Sequence, residues 1–277
     1  MDGARRTRTG LAVASVALGT GLLACGSGSL EGAREDALGY FAHHVEEADT
    51  SWSYLPPYFA RRFGVEVRLA SGLLLTPEGL RALGDDLPTL EVFRRLFRRS
   101  APIAAEDVAA LESPVDRMLA VALHCRELGL PEDWLTVLRS ASELGGYALT
   151  HAVLAGQWSV ENGCLPWLER APLLARQVEG LVEILAAQDE LGGDDPRAAD
   201  VWLEGLALLH YVGAGDRMAP AWLETLQSLQ RGDGGWPEHR RSAHSSPHAT
   251  AFALWVLLER LQPDAPNIPM APPARGP

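Results

Sequence analysis

Three times in the second half of the chain an apolar, helix-like run stops at a pair of glycines, a short polar connection follows, and a second apolar run begins. The pairs are Gly145-Gly146, Gly192-Gly193 and Gly234-Gly235, so the period lies in the forties, the length of one helical hairpin. Glycine enters the left-handed backbone region without a Cβ clash and closes a helix C-terminus cheaply. A second glycine lets the chain reverse at once. Punctuation of this kind restricts the chain to stacked helical hairpins, each burying its apolar face on the next. The fullest copy is QRGDGGWPEH, Gln230 to His239, where a tryptophan follows the pair and can pack beneath the turn.

The rest of the chain reads as helix with few exceptions. REDALGYFAHHVEEA has helical spacing, and TLEVFRRLF, AAEDVAALE, VDRMLAVALHCREL and PEDWLTVLRSASEL follow from Pro88 onward, separated by Pro, Gly or a capping residue. TSWSYLPPYFARRFG reads as a surface crossing or a plug, and VEVRLASGLLL as a short strand or an extended connector. A length of 277 residues, 47% of them hydrophobic, supports one main domain, placed at residues 34–261. The proline-rich stretch 262–277 cannot build a core and reads as a disordered tail.

Gln230, Asp233, Gly234, Gly235 and Trp236 resemble the QxxDGGW repeat of the terpenoid cyclase and protein prenyltransferase superfamily. HATAFALWVLLE is similar to the inner helix that follows that repeat, and Gln188 to Gly193 is a worn copy of the same element. The resemblance implies an all-α fold, an α/α toroid, complete or open, in which inner and outer helices alternate around a central cavity. It says little about activity, because one barrel serves cyclases, transferases, thioester domains and binding modules. The DxDD acid of class II cyclases is missing, since Asp85-Asp86 and Asp194-Asp195 lack the remaining member. The adjacent cysteines of lanthionine cyclases and the Cys-Gly-Glu-Gln thioester are also missing.

Aligning the expected inner helices, VDRMLAVAL, LTHAVLAGQ, AADVWLEGL and SPHATAFAL, puts Asp116, His151, Asp200 and His248 at matching early positions. In a toroid such positions surround one mouth of the cavity. Two imidazoles and two carboxylates suit zinc or another divalent ion. Glu204, one turn after Asp200, is placed as a general base. The alternative is plain helix chemistry, with Asp116 and Asp200 as first-turn residues that complement the helix dipole and the histidines as cavity-wall residues. His244 and Cys164 are secondary candidates for the site, while His124 and His210 read as packing residues and His43 and His44 as solvent-facing. The ligand expected in the cavity is a small molecule or peptide. A carbohydrate-active toroid, with Asp200 or Glu204 as acid/base and Trp158, Trp202 and Trp236 as sugar platforms, and a non-catalytic interaction scaffold are the other readings.

The N-terminus adds location. Arg5, Arg6 and Arg8 precede an apolar run that ends in Leu22-Leu23-Ala24-Cys25, followed by GSGSLEG. This order is similar to the lipobox of bacterial lipoproteins, which implies a signal peptide at 1–24, lipidation of Cys25, a Gly/Ser tether at 25–33 and a lipid-anchored protein of the cell envelope, on its periplasmic or extracellular face. A net charge of −12 and a short arginine cluster at Arg94 to Arg99 argue against nucleic acid as a partner. Cys125 and Cys164 are left to pair, to ligate a metal or, as the favoured reading, to stay as buried thiols. Oligomeric state is open.

Overall fold

A computed structural model of the chain describes residues 29–49, 51–83, 92–97, 103–187 and 198–272. The leader, Cys25, Asp85-Asp86, residues 188–197 with the worn repeat, its Gly192-Gly193 pair and Asp194-Asp195, and the last five residues lie outside the described residues. Among the described residues the fold is all-helical. The helices are Leu30–His44 (α1), Leu55–Phe63 (α2), Pro77–Leu83 (α3), Ala105–Ala109 (α4), Pro114–Leu123 (α5), Cys125–Leu128 (α6), Trp134–Glu143 (α7), Gly146–Glu161 (α8), Trp167–Ala187 (α9), Ala198–Tyr211 (α10), Pro220–Leu229 (α11) and Pro247–Leu261 (α12). The VEVRLASGLLL segment is an extended connector closed by a single bridge between Arg68 and Leu74. No described helix is long and apolar enough to cross a membrane.

Helices α5, α8, α10 and α12 form a row in which each packs on the next, with α7 and α9 laid over α8, α9 also over α10, and α1 and α2 against α12. The division follows from pattern. Helix α12 is buried continuously from His248 to Glu259, whereas α7 buries only Trp134 and Leu138. Helix α2 is a plug rather than a surface crossing. Leu55, Tyr58 and Phe59 are fully buried, and Tyr58 packs edge-on against Tyr211 and Trp255. Behind them Arg62 pairs with Glu259 at 2.8 Å.

Gln230, Asp233, Gly234 and Trp236 each have a separate task in the Gln230–Trp236 turn. The Gln230 amide donates to Ala33 O of α1 and to Gly234 O, both at 2.9 Å. Asp233 Oδ1 accepts the Gly235 N–H at 3.0 Å and the Ser245 hydroxyl at 2.7 Å. Gly234 has φ 89°, and a Cβ built there would overlap the Asp36 carbonyl of α1. Trp236 is fully buried, with its indole donating to Leu226 O at 2.8 Å and its backbone N–H to Thr250 Oγ1 at 2.9 Å.

Three sequence expectations need correction. Cys125 and Cys164 are not free buried thiols but a disulfide, with Cα atoms 6.1 Å apart. The segment from 262 is not wholly disordered. Met270 and Ala271 are buried, Arg61 donates to the carbonyls of Pro269 and Met270, and the Met270 N–H reaches Glu161 at 3.3 Å. A proline-rich composition rules out a core of its own but not docking onto one. Helix α1 also begins inside the expected tether, at Leu30, because the Ser29 hydroxyl caps it by accepting the Gly32 N–H at 3.1 Å.

Candidate functional site

The first turns of the row helices meet at one cavity of about 430 Å³, and Asp116 from α5, His151 from α8, Asp200 from α10 and His248 from α12 all line it. Local chemistry sets these positions. Ser113 caps α5 by accepting the Asp116 N–H, Ser246 caps α12, and both aspartates sit in a first turn, where a carboxylate complements the helix dipole. The Asp200 N–H is itself bonded to Glu238 O at 3.0 Å, which ties α10 to the loop that launches α12.

The tightest part of the site is Asp200, Glu204 and His248, whose donor atoms lie within 4.8 Å of one another. Asp200 Oδ1 is 2.7 Å from His248 Nδ1, and His248 Nε2 is 3.5 Å from Glu204 Oε1. The Thr150 hydroxyl donates to Glu204 Oε2 at 2.6 Å, and the Tyr147 hydroxyl bonds to the same carboxylate. A tetrahedral ion with donors about 2.05 Å away separates neighbouring donors by roughly 3.3 Å, so the Nε2–Oε1 spacing fits chelation with little movement. Asp200 meanwhile holds the other ring nitrogen, the orienting role that carboxylates play behind metal-bound histidines.

His151 is close but differently engaged. Its Nδ1 lies 2.8 Å from Tyr147 O, an acceptor, so Nδ1 carries the proton and the neutral ring keeps its lone pair on Nε2. Its Nδ1 is 3.9 Å from Glu204 Oε2. The four residues placed around one mouth by sequence thus share a cavity, but the compact donor group takes only Asp200 and His248 from them. The third member is Glu204, which the sequence sets apart as a base. Asp116 stands in the wall outside the group, as does His151.

The secondary candidates fall away from the site. His244 is exposed in the loop, and Cys164 is held in the disulfide. His124 is buried with Nε2 2.7 Å from Val92 O, and His43 and His44 are exposed. Trp202 and Trp236 are fully buried with their indoles bonded to Leu185 O and Leu226 O, which removes two of the three expected sugar platforms. Sequence reasoning missed Tyr54, Tyr147 and Thr150. Tyr147 was legible, since Tyr147, His151 and Trp158 fall at i, i+4 and i+11 on one stripe of α8. Tyr54 arrives from the turn before α2, and no periodicity points to it.

Burial dominates the electrostatics. It pushes Glu204 up to about 7, against the opposing pull of the His248 charge. Burial alone would depress His248, but the Asp200 hydrogen bond and the Asp200 and Glu204 charges outweigh it and hold the ring up to about 9. His151 is lowered to about 4, mainly by burial. The metal-free protein therefore has a signed pH dependence. Glu204 and His248 both bind a proton more tightly when folded, so their contribution is full below 4.5 and 6.5 and is lost as pH rises through about 7 and about 9. His151 acts oppositely, and its contribution is lost as pH falls from 6.5 toward about 4. Urea unfolding in EDTA is expected to show midpoints falling from about pH 6 to about pH 9. A midpoint that stays level over that range would contradict the protonation pattern.

Comparison with models of known protein families, with curated proteins and with solved structures found no match.

Proposed function

We propose that this chain is a lipid-anchored, extracytoplasmic α/α-toroid protein that binds a small molecule or peptide in its cavity beside a divalent cation at the Asp200, Glu204 and His248 group, with Glu204 and His248 Nε2 as ligands and Asp200 bound behind the His248 ring. The observation that carries the reading is the buried Asp/Glu/His group opening into the cavity, with nitrogen and oxygen donors at chelating separation. The donor set suits zinc or a similar borderline ion. The sequential packing of α5, α8, α10 and α12, with their first turns at one cavity, supports the toroid and its prenyltransferase-like kinship. The lipobox-like leader supports the anchor, and the Cys125–Cys164 disulfide fits an oxidising compartment.

A cation held there would supply positive charge beside a ligand's carbonyl or phosphoryl oxygen. Around it the chain's own groups have defined tasks. Asp200 fixes the His248 ring, Thr150 and Tyr147 orient Glu204, and His151 offers an unprotonated nitrogen from the neighbouring helix. With a ligand that carries a scissile bond, this arrangement serves metal-assisted hydrolysis or transfer.

Elemental analysis of protein purified without chelator is the test, paired with unfolding in zinc and in EDTA. One equivalent of metal is expected, and zinc at about a hundredfold excess over its dissociation constant raises stability by about 2.7 kcal/mol. In His248→Ala the zinc effect disappears. Protein that carries no stoichiometric metal and ignores added zinc, manganese and cobalt would sink the reading.

A further inference from the structure

The cavity is charged and walled in a way that selects among ligands. Of the described residues that line it none is Arg or Lys, while Asp116, Asp200 and Glu238 are acidic and Tyr54, Phe93, Tyr147 and Trp158 are aromatic. Asp200 is answered by His248. Asp116 is not, for among the described residues its only side-chain partner is the Ser113 hydroxyl, no ion pair reaches it, and burial raises its pKa. The start of α5 offers it only the helix dipole, a partial charge rather than a counter-ion.

Deeper in the wall lies an independent signal. Trp158 is 1% exposed, lines the cavity, and its indole N–H has no acceptor among the described residues. A buried donor left without a partner is costly, so a ligand that brings an acceptor to it is favoured. His151 and Trp158 are about 10 Å apart along the α8 axis.

We propose that the cavity takes a small organic cation, an ammonium group set against Asp116, whose body lies between the aromatic walls and whose acceptor oxygen receives the Trp158 N–H. An ammonium is attracted to aromatic faces, more so when desolvated, and the lone Asp116 carboxylate gains the counter-ion that the described residues do not provide. This rests on the cavity being the binding site, as proposed above, but not on the metal.

Phenylalaninamide is a probe of the right chemistry, with an ammonium, a ring and a carbonyl. Titrated calorimetrically into EDTA-treated protein, it is expected to bind at least tenfold more tightly than 3-phenylpropanamide, which lacks only the ammonium, and than the anion 3-phenylpropanoate. Asp116→Asn, nearly isosteric, reduces phenylalaninamide binding about tenfold and leaves 3-phenylpropanamide unchanged, while Trp158→Phe weakens both amides. Equal binding of the charged and neutral amides to the wild-type protein, or no saturable binding of phenylalaninamide, overturns the proposal. Both comparisons are free of metal, so a failure of zinc uptake leaves them intact, and their failure leaves the zinc test standing.

Discussion

Replacing Cys125 and Cys164 together with serine is expected to lower the stability of the oxidised protein by about 4 kcal/mol, the chain-entropy value for a cross-link closing a loop of this length. The two cysteines stand 39 residues apart, and the loop they close contains α7 and α8, with Tyr147, Thr150, His151 and Trp158. The bond ties the end of α5, through α6, to the end of α8, beside a second junction in which Arg95 reaches both Glu127 and Asn162. Without it the unfolded chain gains freedom, while the two walls that bear Asp116 and His151 lose one of their fixed joints. Urea unfolding of the wild type, of the wild type under dithiothreitol and of the double variant makes the check. The last two should coincide, and a loss under about 1 kcal/mol would show that the Arg95 junction holds these helices without the bond.

The same disulfide shows where sequence reading stops. Two cysteines among helices are compatible with pairing, ligation or burial, and only the approach of α6 to the end of α8 decides. The hairpin grammar is more informative because its physics is local. A glycine pair after an apolar run states its turn regardless of what surrounds it, and Gly145 and Gly146 do adopt positive φ, at 68° and 51°. Asp116, His151, Asp200 and His248, picked out by their offsets in the expected helices, all line one cavity. Finer roles are not legible in this way. That Glu204 joins His248, and that His151 instead turns Nδ1 to its own helix, depends on rotamers and on Thr150 and Tyr147. The tail escapes sequence reading for a related reason, since composition reports what a segment can bury by itself, whereas Met270 is buried by other elements.

The largest effect of a single residue is expected at Gly234. In Gly234→Ala the methyl group meets two costs at once, a left-handed φ of 89° and overlap with the Asp36 backbone of α1. Strain and overpacking of this kind together cost on the order of 4 kcal/mol. Neither cost can be relieved by a side-chain rotation, because the obstacle is the main chain of a helix anchored by Ala33 O to Gln230 and by Tyr40 to Ser245. The strain also reaches the site. The loop that begins at Gly234 fixes the start of α12 through the Trp236 N–H on Thr250 and the Ser246 N–H on Trp236 O, and fixes α10 through Glu238 O on the Asp200 N–H. Displacing it shifts His248 and Asp200 relative to each other, so the 2.7 Å bond between them is expected to weaken along with the fold. Thermal unfolding reads the first effect, and the Nδ1 proton of His248, followed by NMR, reads the second. Gly232→Ala is the control two residues away. Gly232 has no positive φ and no atom within 4 Å of an added Cβ, so stability there should change by less than about 0.5 kcal/mol. If the two variants unfold alike, the turn does not hold α1, α10 and α12 together in the way these bonds require.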